Sequence, residues 1–156
     1  RIVQESGLRG IFSHFNLQGA HNFGRGDAGA AYINDARRRG VDIWAALRSL
    51  GRDGVADLIE RCCSHARRFA EGLQAAGYEI LNEVVLNQVL VSFGDDETTR
   101  RVIEAIQRDG TCWCGGTVWQ GRRAMRISVC NWSTTTADVD RSLEAMVACA
   151  GRIAEA

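Results

Sequence analysis

The residue types that could do chemistry in this chain are arginines, three histidines and six cysteines, and one whole class of reaction is closed to it. All 19 basic residues are arginine and none is lysine. Without a side-chain amine the chain cannot form a Schiff base, so lysine-dependent covalent catalysis is beyond it alone. The strongest candidate is Arg126, in the stretch Thr111–Ser133, TCWCGGTVWQGRRAMRISVCNWS. Two strands joined at a tight connection are expected there. In the second, Met125, Ile127 and Val129 fall on one face and Arg126, Ser128 and Cys130 on the other, because side chains switch sides at each residue. A mid-strand arginine opposite an apolar face suits two roles. It can take a carboxylate in a bidentate pair, or it can pair with an acid of another domain. Arg122 and Arg123, at the turn, are expected to be solvated.

The other constellations are weaker. Cys62, Cys63, Cys112, Cys114, Cys130 and Cys149 have neither the spacing of a secreted disulfide framework nor the C-x₂₋₄-C pairs of a zinc site. They read as buried, reduced thiols of a cytoplasmic protein. Cys112-Trp113-Cys114 has a strand pattern that would point both thiols the same way. Gly24-Arg25-Gly26-Asp27-Ala28-Gly29 matches G-x-G-x-x-G, but the residues before it do not form a buried strand, so it reads as a flexible loop. His14, His21 and His65 have no partner at ligand spacing. No P-loop, H-E-x-x-H or G-x-S-x-G motif occurs. No metal site is expected.

The totals bound the partners. With 156 residues, 46% hydrophobic and 24% charged, the chain suits one globular domain. A formal net charge of zero offers no long-range attraction to nucleic acid or an anionic membrane. No apolar run reaches the roughly 18–20 residues of a membrane span, and no secretory-signal pattern opens the sequence.

The elements that must position these residues follow from periodicity. Residues 1–34 read as an irregular lead-in. From Asp35 a helix carries Val41, Trp44, Ala45, Leu47 and Leu50 to a stop at Gly51, with Arg37–Arg39 either on a solvated face or clamping an anion. Asp53 can cap a second helix, whose stripe is Val55, Leu58, Ile59, Cys62, Ala66, Phe69, Ala70 and Leu73, ending at Gly77. Strands are expected at Tyr78–Leu81 and Asn87–Phe93, with Leu90 implying burial on both faces. A helix opens at Asp95-Asp96 and closes at Gly110, the hairpin follows, and Thr134–Thr136 with Asp138 starts a last helix. The expected fold class is α+β: a short, mostly antiparallel sheet with helices on one face.

At this point the residues meet a family. DARRRGVDIWAALRSL (Asp35–Leu50), GRDGVADLIERCCSHARRFAEGL and MRISVCNWSTTTADVD, in this order and spacing, resemble the C-terminal part of group II pyridoxal-phosphate-dependent amino-acid decarboxylases, the aromatic-L-amino-acid and glutamate decarboxylases among them. The resemblance covers about residues 35–155. It implies the small C-terminal α+β domain of the aspartate-aminotransferase-like fold type I, residues 35–156. It implies a carboxy-lyase that converts an L-amino acid to an amine and CO₂ with pyridoxal 5'-phosphate, acting as a homodimer. By the resemblance, Arg126 matches the arginine of the C-terminal strand, near the substrate carboxylate or the dimer's active-site wall, while the lysine and the other cofactor residues belong to a larger domain not contained here. The isolated chain is then expected to be inactive. Trp113, Trp119 and Trp132 around the hairpin tilt the expected substrate slightly toward an aromatic one, although packing in a core or interface is the favoured account of them. Two departures are visible. Asp35 stands where the family has Ser or Gly, and residues 1–34 do not show its mobile catalytic loop. Two other readings are a free-standing, non-catalytic α+β module that binds a small ligand or a subunit through the Arg126 face, and a nucleotide-binding domain built on Gly24–Gly29.

Overall fold

The computed structural model describes residues 43–155, with side chains from residue 48 onward. Gly24–Gly29, His14, His21, Asp35 and Arg37–Arg39 lie outside the described residues. The chain divides into two compact units. One takes the residues up to Arg61 together with Cys130–Trp132, and the other takes Cys62–Val129 and Ser133–Ala156.

In the first unit the described residues are helical from Ile43, interrupted at Gly51, where φ is 66° and ψ is −176°. The expected stop is therefore a break inside one helical element, α1 (Ile43–Ala75). Ile59, expected in the apolar stripe, is 52% exposed, and Arg61 pairs with Asp57 on the preceding turn.

The second unit begins inside α1 and continues with β1 (Glu79–Ile80), β2 (Gln88–Ser92), α2 (Asp96–Asp109), β3 (Gly115–Trp119), β4 (Arg122–Ser128) and α3 (Thr136–Ala154). All pairings are antiparallel and the strand order is β1-β2-β4-β3. The helix ends carry the signals the sequence announced. At the end of α1, Tyr78 N–H donates to the Leu73 carbonyl and Gly77 N–H to that of Gln74, with Gly77 at φ 91°. This is the Schellman pattern, and it needs a residue tolerant of positive φ. Asp95 caps α2 by accepting the Thr98 N–H at 2.7 Å, and Gly110 ends it. Thr135 and Asp138 form a reciprocal capping box on α3.

One core joins these elements. Ala66, Phe69, Ala70 and Leu73 of α1 pack with Val89 and Val91 of β2, with Val102, Ile103 and Ile106 of α2, with Met125 and Ile127 of β4, and with Val139, Met146 and Ala150 of α3. Tyr78 and Phe93 stack at a tilt with ring centroids 4.7 Å apart. α1 and α3 are also tied by polar contacts. Arg68 holds Asp140 in a bidentate pair at 2.5 and 3.0 Å, and His65 Nε2 lies 3.2 Å from the Thr134 carbonyl oxygen.

Thr99 is fully buried, and its Oγ1 accepts the Phe93 N–H at 3.1 Å. The hydroxyl thus satisfies a backbone donor where β2 gives way to α2. Thr99→Val keeps the shape but leaves that N–H without its partner. An expected loss of about 1–3 kcal/mol follows, measurable by urea unfolding with an unchanged m-value.

Candidate functional site

The site is fixed by register. Directly opposed residues of antiparallel strands share a face. Val89 opposes Ile127 and Val91 opposes Met125, which defines the core face. Leu90 opposes Arg126, Gln88 opposes Ser128, Gly115 opposes Arg126 and Thr117 opposes Ala124, which defines the second face. Arg126 is therefore flanked by Leu90 on one neighbouring strand and Gly115 on the other. A Cβ built on Gly115 would meet nothing within 4 Å, so the glycine leaves open space beside the guanidinium.

This second face has a buried centre and an exposed margin. Leu90 is 8% exposed, and Ser92 and Ala124 are buried, so the two-sided burial expected of Leu90 is found. Gln88, Arg122, Arg126 and Glu79 are exposed. Among the described residues Arg126 carries no ion pair.

Arg122 behaves otherwise than expected. It remains exposed, but it forms a bidentate pair with Glu79, at 3.0 and 2.6 Å, across 43 residues of sequence. β2 lies between their strands, so the pair bridges over the Ser92 end of the face. A shallow depression of about 190 Å³ beside it is lined by Glu79, Ile80, Leu81, Trp119, Gln120 and Arg122 and does not include Arg126. Arg123 anchors the same end through its backbone, donating its N–H to Asp96 at 2.8 Å. The turn between β3 and β4 is two residues long, with Gln120 at φ 49° and Gly121 at φ 81°, the double positive φ of a type I′ connection.

Cys112, Cys114 and Cys149 lie close enough to interact electrostatically, but they do not form a reactive group among the described residues. Residues 111–114 precede β3 as an irregular connection, bent at Thr111–Cys112, which corrects the expected strand at Cys112–Cys114. The connection out of α2 needs these residues, and the pairing with β4 starts only at Gly115. None of the six cysteines is joined in a disulfide among the described residues. Burial pushes the Cys112 thiol up to about 11 and the Cys114 thiol to about 12, so both are protonated and poor nucleophiles near neutrality. No three acidic, histidine or cysteine side chains among the described residues are placed to hold a metal ion. Trp119 is 41% exposed on the second face, while Trp113 and Trp132 are partly buried. Cys149, absent from the expected stripe of α3, is fully buried.

Several carboxylates are tuned downward by their partners. The Arg122 guanidinium lowers Glu79, the Arg68 guanidinium lowers Asp140, and the Thr135 hydroxyl lowers Asp138. Each folded-state value lies below the unfolded one. The stability they add is complete above the ordinary carboxylate range, about pH 3.9–4.3, and is lost as pH falls through the folded values. The expected result is a melting temperature that is flat from pH 7 to about 5 and falls below about 4. In Glu79→Gln and Asp140→Asn the fall is shallower, and added salt weakens the difference because these pairs are exposed.

No family model matches the sequence, and no curated protein matches it either. Solved structures do match. The chain is similar to Oryza sativa TDC with PLP and tryptamine, at TM-score 0.66 and 19% identity, over 73% of this chain and 26% of that one. It is similar to Catharanthus roseus tryptophan decarboxylase in complex with L-tryptophan, at TM-score 0.65 and 19% identity, over 70% of this chain and 25% of that one. It is similar to Rhodiola rosea 4-hydroxyphenylacetaldehyde synthase, at TM-score 0.65 and 21% identity, over 73% and 26%. The chain thus spans about a quarter of the length of the enzymes it matches. The resemblance read from the sequence is met in three dimensions: the described residues share the fold of a quarter-length portion of pyridoxal-phosphate-dependent decarboxylases.

Proposed function

We propose that residues 35–156 form the C-terminal α+β domain of a pyridoxal-phosphate-dependent amino-acid carboxy-lyase, with Arg126 presented to the substrate carboxylate. The observation that carries this reading is Arg126 itself. It is a mid-strand guanidinium with no ion pair among the described residues, next to the open space at Gly115 and above the buried Leu90. A planar fork of donors on a rigid strand is suited to a carboxylate that arrives from outside the domain.

The residues present do not fit pyridoxal phosphate by themselves, because the chain offers no lysine to anchor it. When bound, the cofactor supplies the electron sink for decarboxylation. In this reading it is held by polypeptide outside this chain, and the domain supplies closure and carboxylate binding. The exposed ring of Trp119 on the Arg126 face supports an aromatic amino acid as substrate. So do the tryptamine and L-tryptophan named with the similar structures. Six cysteines without a disulfide among the described residues fit a reducing, cytoplasmic setting, and a homodimer is proposed from the family resemblance. No helix among the described residues is long and apolar enough to cross a membrane.

The reading is tested in two arms. Pyridoxal phosphate added to the chain alone is expected to give no lysine-type imine absorbance band; a band at one-to-one stoichiometry overturns the assignment of the anchor to other polypeptide. Joining the chain to a large domain that carries the lysine is expected to yield CO₂ release from an aromatic L-amino acid. Release that is the same with and without residues 35–156 would leave the free-standing binding module as the better account.

A further inference from the structure

β3 is an edge of the sheet among the described residues, and its sequence, GGTVW, has none of the devices that usually blunt an edge. It carries no charge, no proline and no bulge, and two of its largest side chains, Val118 and Trp119, are 66% and 41% exposed. Trp119 and Arg122 close a two-residue turn and so exchange hydrogen bonds. Alternation from that pair sends the N–H and C=O groups of Thr117 and Gly115 toward β4. Those of Gly116 and Val118 point away from the sheet.

From this we propose that β3 pairs antiparallel with β3 of a second copy of this chain, about a two-fold axis through Thr117. In this register Gly116 opposes the partner's Val118 on the core face, and Gly115 opposes the partner's Trp119 on the Arg126 face. Each copy then contributes four outward backbone groups, and the pair forms four hydrogen bonds. Every exposed bulky side chain meets a glycine. Gly115 has open space where a side chain would stand, and at Gly116 the nearest atom is Ile103 Cδ1, at 3.6 Å from an ideal Cβ. Shifting the register by two residues in either direction loses both matches. The charges also agree. No ionised group lies on the strand, and the partner's Trp119 ring leans over Gly115 toward Arg126, placing an electron-rich face beside a guanidinium that has no ion pair among the described residues. Two five-residue strands bury less than a standard interface, so the contact is weak, with a dissociation constant on the order of 0.1 mM for the chain alone. It draws on the same open space at Gly115 that the proposed function leaves to a substrate carboxylate, so the two compete for the Arg126 face, and crosslinking and sedimentation report on the pairing alone.

The test uses the full 156-residue chain. In the proposed pairing the two Thr117 residues form a non-hydrogen-bonded pair with Cα atoms about 4.5 Å apart, within disulfide range. Under a mild oxidant, Thr117→Cys is expected to give a covalent dimer at least tenfold faster than either Val118→Cys or the unmodified chain. Adding Val118→Pro removes only an outward N–H and leaves the β3–β4 ladder intact, so circular dichroism is unchanged while the crosslinking of Thr117→Cys is lost. In sedimentation equilibrium, Val118→Pro and Trp119→Ala each weaken dimerisation at least tenfold. Equal crosslinking from positions 117 and 118, or a dimer that persists in Val118→Pro, overturns the proposal.

Discussion

Replacing Arg126 with alanine is expected to lower kcat/KM about a hundredfold in an enzyme that contains this domain, while leaving its fold unchanged. The size follows from the contact. A bidentate arginine–carboxylate pair makes two charge-assisted hydrogen bonds, each worth about 1.5–3 kcal/mol net, and about 1.4 kcal/mol corresponds to a factor of ten. Two such bonds, partly recovered by water in the variant, leave about 3 kcal/mol, or two decades. Arg126→Lys keeps the charge but not the fork, so it should recover about one decade. Because the Arg126 side chain is exposed and carries no ion pair among the described residues, neither substitution should move the melting temperature by more than about 2–3 °C. Steady-state kinetics on both variants decides the matter. If Arg126→Ala keeps kcat/KM within about twofold, the carboxylate does not bind there.

The second large effect is on stability. Leu73→Ala is expected to cost about 2–5 kcal/mol, because Leu73 is fully buried at the centre of the core cluster and its removal leaves a cavity as well as losing transfer energy. For a domain of this size that is a fall in melting temperature of about 10–25 °C. The adjacent Gly72 is the control. A Cβ there would stand 2.8 and 3.0 Å from the two terminal methyls of Leu143. Leu143 is only partly buried and can swing outward, and alanine gains about 1 kcal/mol of helix propensity over glycine. Gly72→Ala should therefore fall within about 1 kcal/mol of the parent. Calorimetry that ranked Gly72→Ala as the worse of the two would show that the α1–α3 approach, rather than the apolar interior, limits stability.

Much of this fold was legible because its signals are local. Gly77, Asp95, Gly110 and the Thr135/Asp138 box act within one turn of the chain, and their structural roles follow from residue type and spacing alone. The alternation of Met125, Arg126 and Ile127 predicted which way each side chain would face. What the sequence could not carry is what depends on register between distant strands. Nothing in the chain order announces that Glu79 will reach Arg122, or that Gly115 and Leu90 will flank Arg126. The apolar period also ran too far in one place. Ile59 keeps the spacing of the stripe but is exposed, because periodicity assigns a face and not what that face meets. At Cys112–Cys114 a plausible alternating triplet was outweighed by the need to leave α2 before β3 could begin.

The strand order has a kinetic corollary. β1–β2 and β3–β4 are each contiguous hairpins, whereas the β2–β4 seam joins residues nearly forty apart in sequence. Local ribbons close quickly, and the costly step is bringing them together. Leu90 and Arg126 sit on that seam, so the position proposed to accept a carboxylate is incomplete in either ribbon alone. It is completed when that seam closes, and the amide hydrogens of Val89 and Val91, which face β4, should gain protection after that of Leu90, which donates to Asn82 within the first ribbon.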